Sequence, residues 1–322
     1  MSHELTQTNG VTEFAYLKSD GAPWHGLGTA MEDGMGVDAW RAAAGMDWRI
    51  HRSKVRYATC ANAQPHEFIE VPESHVLFRS DTKVHLGVVS DKYKVVQPAE
   101  VLEFFRDIAA SGGLALSAAG TIYGGKRFWA TAKIGEASPA SLRDKIGGYL
   151  LISTSADGSM ATEVRRTTIR TVCRNTLAMA LGDAASIKVS HRSTFDPTGV
   201  KKFMELNNAA FDSFVFKLEQ LANTDLRLDK AEAMAVEVFG GEEGKVRTSA
   251  GFNKVMDLFS GQGMGAKEDG VYGTAWGFVN AFTEYADHWT RARSADNRMA
   301  SAQWGAGAAL KQKALELAGS AA

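Results

Sequence analysis

The sequence predicts an α+β fold, strands first and helices after, on three observations. Short runs in the first 170 residues alternate apolar and polar side chains, the period of a half-buried strand. Gly-Gly and Asp-Gly pairs separate several of these runs and mark hairpin turns. Beyond about residue 194 the apolar spacing becomes helical and the composition shifts to alanine and acids.

Taken in order, residues 1–23 are polar and read as a flexible arm. Pro23–Gly36 is too rich in glycine for a regular element. Val37–Met46 reads as a short helix, and Asp47–Thr59, Glu67–Val71, His75–Arg79 and Val84–Ser90 as strands. Pro98 opens a helix with an apolar face of Val101, Leu102, Phe104, Phe105 and Ile108, and Gly112-Gly113 stops it. Leu114–Tyr123 and Arg127–Ile134 form a hairpin about Gly124-Gly125. Gly148–Thr154 and Met160–Ile169 form another about Asp157-Gly158. The period then changes, so that Val172–Leu181 (VCRNTLAMAL) reads as a helix ended by Gly182. Ser186–Ser190 is strand-like, and helices are expected near 197–223, 229–239, 250–260, 273–293 and 299–318. The organisation expected is an arm (1–23), an α+β core with a basic surface (24–194) and a helical region packed on or beside it (195–322).

Several function classes lack their residues. No apolar run approaches a membrane span, and MSHELTQTNG lacks the features of a secretory signal, so a cytoplasmic protein is expected. Cys60 and Cys173 are the two cysteines, too few for a disulfide framework. Cys173, beside Arg174, reads as a small buried apolar residue. Gly26 and Gly28 lack the third glycine of a dinucleotide loop, and no Gly-Lys-Ser/Thr occurs. The histidine spacings fit no zinc motif, and Glu284 with His288 reads as a surface i,i+4 pair. Asp157 and Glu163 are the only carboxylates singled out for a metal-dependent nuclease, and ion pairs to Arg165 or Arg166 explain Glu163 equally well. No catalytic residue, metal or cofactor is expected.

Charge is more informative. Residues 126–202 hold 13 Lys/Arg against six Asp/Glu, whereas 205–245 hold four against nine. Thr162–Thr176 (TEVRRTTIRTVCRNT) is the densest basic segment. As a strand it places Glu163, Arg165 and Thr167 on one face and Arg166, Thr168 and Arg170 on the other. Arg174 then projects from the first turn of the next helix. Arginines and threonines leading to free helix N–H groups make a phosphate track. Lys126, Arg127 and Trp129 of the neighbouring hairpin add cations and a base-stacking ring. Such a groove holds single-stranded DNA without reading its sequence.

PWHGLGT near the start, RSDTKVHLGVVSDKYKVVQ at 79–97, LISTSADGSM…IRTVCRNTLAMAL at 151–181 and TAWGFVNAFTEYADHWTRAR at 274–293 resemble the phage/plasmid-like protein family. The family pattern carries a histidine where Ala156 stands. The resemblance implies a mobile-element setting of recombination, replication or evasion of host defence. The order of hairpins followed by a basic helix also resembles single-strand annealing recombination proteins, an analogy of architecture. The leading expectation is a non-enzymatic single-stranded-DNA-binding and annealing protein acting in recombination or replication. Complementary charged patches and the wide aromatic surface of helix 273–293 (Trp276, Phe278, Val279, Phe282, Tyr285, Trp289) suit a homo-oligomeric ring or filament. A protein that binds a host protein as a defence inhibitor is the alternative, and the nuclease a second.

Overall fold

The computed structural model describes residues 7–8, 11–21, 27–59, 68–112, 115–142, 145–170, 176–178, 186–191 and 207–321. Two short strands, β1 (Gln7–Thr8) and β2 (Val11–Thr12), pair with each other. The main sheet has eight strands: β3 (Phe14–Leu17), β4 (Thr29–Met31), β8 (Ala115–Ile122), β9 (Arg127–Ala137), β10 (Ile146–Ser155), β11 (Thr162–Arg170), β12 (Thr176–Ala178) and β13 (Ser186–Val189). Their order is β12-β11-β10-β9-β8-β3-β4, and β13 lies beyond β12 along the same outer edge of β11. Only β3 and β4 run parallel. A second sheet joins β5 (Ile50–Ala58), β6 (Phe68–Arg79) and β7 (His85–Ser90) in antiparallel order.

Nine α-helices complete the described fold: α1 (Val37–Ala43), α2 (Pro98–Gly112), α3 (Asn207–Ala222), α4 (Leu228–Phe239), α5 (Glu243–Arg247), α6 (Ala250–Asp257), α7 (Ala275–Glu284), α8 (Ala295–Trp304) and α9 (Ala306–Ala321). The first core packs α1 and α2 against the main sheet, through Trp40, Leu102, Phe105, Phe128, Leu150 and Ile152. The second gathers α3, α4, α6, α7 and α9 about Phe214, Leu218, Val255, Phe278 and Phe282, and reaches the sheet at Ile146. Phe211 of α3 seats over β9 and β10 where Gly135 and Gly148 leave room. A Cβ at Gly148 would stand 2.7 Å from its ring. In none of these helices does one terminal feature decide; buried apolar faces do most of the work of holding them.

The strand-first, helix-second order is as expected, and four details differ. The arm expected over 1–23 includes β3, because Phe14, Ala15 and Leu17 are buried and Phe14, Ala15 and Tyr16 pair with β8. Thr176–Ala178, expected inside a helix, is a strand on β11, where a free ladder edge outweighs a short helical period. The helix expected over 299–318 is two helices, since the chain departs from helix at Gly305. The helix expected over 273–293 stops at Glu284 and widens into a π-helical turn, Tyr285–Trp289. The boundary expected near Thr194, with Cys60 and Cys173, lies outside the described residues.

Candidate nucleic-acid interface

β11 alternates as expected, and that alternation separates its arginines. Arg165 stands opposite Leu151 on the face that holds Trp129 and Ser153. Arg166 stands opposite Leu150 on the reverse face and is buried. Helix α8 covers the first face: Met299 and Trp304 pack on Phe14, Trp129 and Leu151. Arg165 donates to Gln303 Oε1 at 2.8 Å, and its guanidinium lies 5.9 Å from the Trp304 ring centre. Trp304 Nε1 donates to Ser153 Oγ at 3.1 Å. Burial lowers the pKa of both guanidiniums. Trp129 is 7% exposed, so in this conformation it is a core residue and offers no face to a base.

Lys126 and Arg127 remain at the surface, half-buried, beside the β10–β11 turn. Arg127 donates through Nε and Nη2 to Ser159 Oγ at 3.2 and 3.1 Å, with its guanidinium 5.4 Å from the Tyr123 ring centre. Arg170 pairs with Ile146 at the end of β11, and its side chain lies outside the described residues, as does Arg174. The seven predicted residues therefore do not form one track. Lys126 and Arg127 are at the surface, Trp129 and Arg166 are buried on opposite faces, Arg165 is half-buried under α8, and the helix start invoked for Arg174 precedes a strand.

The acid pair is likewise divided. Asp157 caps its own turn by accepting from Ser159 N at 2.9 Å, while Glu163 lies 3.8 Å from Lys188. Among the described residues no group of three or more His, Cys, Asp or Glu is placed to hold a metal ion. Glu284 and His288 do not form the expected surface pair, because Glu284 is buried and accepts from Met264 N and Trp289 Nε1.

Two of the family-like blocks meet around that same turn. Tyr93 Oη donates to Ser155 O at 2.6 Å, and burial pushes its phenol up to about 12. His191 stacks on Tyr93 with ring centres 4.3 Å apart. The His191 nitrogens lie 3.0 Å from Lys94 O and 3.1 Å from Met160 O. Gly87 brings β7 against the turn so closely that a Cβ there would stand 2.7 Å from Asp157 Cα. The turn to which Arg127 bonds through Ser159 is thus braced by the second sheet.

That sheet is a basic wing that sequence reasoning missed. Its root is buried through Ile50, Leu77, Leu86 and Val89. A charged knot fixes the root: Arg79 Nη1 lies 2.8 Å from Glu13 Oε1, Nη2 lies 2.8 Å from Asp81 Oδ2, and the guanidinium covers Trp48 at 4.3 Å. Past the root, β5 and β6 outrun the core. His51, Arg52, Lys54, Arg56, Tyr57, Phe68 and Ile69 are all exposed, Phe68 by 64%. Lys54 and Arg56 share one carboxylate, Glu70, at 3.3 and 3.6 Å, so this stretch keeps a net positive charge. Residues 49–94 hold eight Lys/Arg against five Asp/Glu. The missed signal was length: β6 is one strand of 12 residues, about twice the usual span, where two short strands were expected.

No helix among the described residues is long and apolar enough to cross a membrane. No curated protein and no solved structure matches the chain. A family match runs over residues 85–304, from β7 to the last residue of α8, and takes in the Tyr93–His191 contact, the Arg127 turn and the covered face of β11. By that match the chain belongs to the family described as Domain of unknown function (DUF932).

Proposed function

We propose that the chain binds single-stranded DNA without sequence preference and anneals complementary strands, as a non-enzymatic, self-associating protein of phage or plasmid origin working in the host cytoplasm. One observation carries this reading: the wing exposes cations and aromatic rings together on a strand pair that projects past the core. Cations capture phosphates and rings stack on any base, so affinity needs no readout of base edges. Lys126 and Arg127 extend the cationic surface at the turn that the wing braces, in place of the expected β11 track.

The test is fluorescence anisotropy with a labelled single-stranded oligonucleotide of about 30 residues, repeated with duplex and RNA. Affinity should fall steeply between roughly 50 and 200 mM salt, by a log–log slope of about −0.7 per phosphate contact. Arg52→Ala/Lys54→Ala/Arg56→Ala should flatten that slope by about two contacts' worth, while Arg127→Ala should remove about one. Binding that ignores salt, or no binding, refutes the reading. It would then favour a host-protein partner, for which Tyr57, Ile69 and Val88, all at least 40% exposed, offer apolar contact. Light scattering tests self-association: a species that stays at 34.7 kDa when oligonucleotide is added excludes the ring or filament.

A further inference from the structure

Helix α7 is buried all round, and the aromatic surface expected on it is mostly core: Trp276, Phe278, Val279 and Phe282 are buried and Tyr285 is half-buried. Trp289 is the exception. The chain widens into the π turn at Tyr285, and Thr290 closes it by donating its N–H to Tyr285 O at 2.9 Å. A helix at this register would return this fifth aromatic to the core stripe; the wider turn directs it to solvent. Such turns frequently mark functional sites. Trp289 is 51% exposed.

Its ring is fixed on two sides. Glu284, 3% exposed, accepts from Trp289 Nε1 at 3.2 Å and from Met264 N at 2.8 Å, which sets the plane of the indole. Lys254 of α6 places its ammonium 3.4 Å from the ring centre and caps one face. Half of the residue's surface stays open to solvent. Two and four residues on come Arg291 and Arg293, both exposed, and neither forms a hydrogen bond or ion pair with another described residue. The acids of this turn are committed inward: Glu284 to the indole, and Asp287 to Lys311 at 2.7 Å. The turn thus presents an oriented, half-exposed ring with Lys254 on one face and two exposed arginines two and four residues further along the chain.

We propose that Trp289, capped by Lys254, is a stacking platform for an unpaired base, with Arg291 and Arg293 holding the phosphates on either side. This rests on the reading of the chain as a single-strand binder, and adds a site on the helical half to the wing of the strand half. A ring already held in place loses little entropy when a base stacks on it. A base, having a π-face, fills the open side of the ring, and its phosphates meet the arginines; a protein partner would have to bring both an apolar group and acids to the same spot.

The experiment compares the whole protein binding a labelled thymidine 20-mer with an abasic phosphodiester strand of the same length. Wild type should prefer the thymidine strand. Trp289→Ala should weaken thymidine binding by about fivefold or more, the low end of what one stacked base contributes, and should narrow the preference for bases by the same factor. Arg291→Gln/Arg293→Gln, at two exposed side chains, should weaken both strands alike and flatten the salt slope by about 0.7 per arginine. Should Trp289→Ala fail to fold, Lys254→Ala and the arginine pair carry the same comparison. If wild type binds and prefers bases while these variants match it, the platform is wrong and the single-strand reading stands. If wild type binds neither strand, both fall.

Discussion

Replacing Arg79 by methionine should unfasten the wing at a calculable cost. The side chain is 2% exposed and holds two carboxylates, the carbonyl of Gly124 at 3.2 Å and the face of Trp48. Burial acts to lower its pKa, but Asp81 and Glu13 outweigh burial and raise it, so the guanidinium stays charged. Methionine keeps the volume of the stem and loses every polar contact. Asp81 can turn to water, but Glu13, itself 2% exposed, is left as a buried carboxylate that has lost its guanidinium partner. Breaking a buried pair from one side costs about 3–5 kcal/mol, most of it from the stranded partner. Arg79→Met should therefore lower the unfolding free energy by about that much. Arg79→Met/Glu13→Gln should recover about 2 kcal/mol or more, because the stranded charge is gone. Urea unfolding followed by far-UV circular dichroism and tryptophan fluorescence measures both, with the m-value as the check on cooperativity. A loss under about 1 kcal/mol, or a double variant whose loss equals the sum of the singles, would refute the assignment of this knot as a coupled charged core.

The Lys311–Asp287 pair obeys the same logic on the helical half: both are buried, and burial lowers the Lys311 pKa. Lys311→Met alone should cost about 3–5 kcal/mol, and Lys311→Met/Asp287→Asn should restore most of it; equal Tm values for single and double variants would rule this out. Tyr93 makes an alkaline prediction. Its phenol titrates near 10 unfolded and at about 12 folded, so the folded state holds the extra proton in that window and stability falls as pH rises through it. The difference between wild type and Tyr93→Phe should be constant below pH 10 and change by on the order of 2 kcal/mol by pH 12. Parallel curves would show that Ser155 and His191 do not hold the phenol as described.

The elements were legible where periodicity and turn chemistry agreed. Pro98 and the Val101–Phe105 face specify α2, and the Gly124-Gly125 and Asp157-Gly158 turns specify the central hairpins, because these signals are local. Thr176–Ala178 was misread because its strand exists only through β11, a partner that no local pattern names. The candidate site was misread for a related reason. Alternation correctly separated Arg165 from Arg166, but whether a strand face meets solvent or a helix depends on residues more than 130 positions away, such as Gln303 against Arg165. Trp129 next to two cations looks the same in sequence whether it stacks on a base or on a core. Trp289 was noticed as one of five aromatics on one predicted helix; what distinguishes it is the π turn, which the residue pattern does not announce.

The place of β3 has a consequence for the order in which this chain acquires its structure. The strand is synthesised about a hundred residues before its main partner, β8: Glu13 and Thr121 are 108 residues apart. Until β8 has been synthesised, β3 has only the short parallel strand β4 to pair with. Closing so long a loop carries an entropic cost that is recovered only when the sheet assembles around it, which is the property that slows folding across proteins of similar stability. The last bonds to form reach farther still: Tyr123 donates its N–H to Asp296 across 173 residues, and Trp304 donates to Ser153 across 151. The sheet is therefore sealed beside β8 by a strand made long before it and over Trp129 by a helix made long after it. A nascent chain halted before α8 would display Trp129 and Arg165 that the finished protein hides.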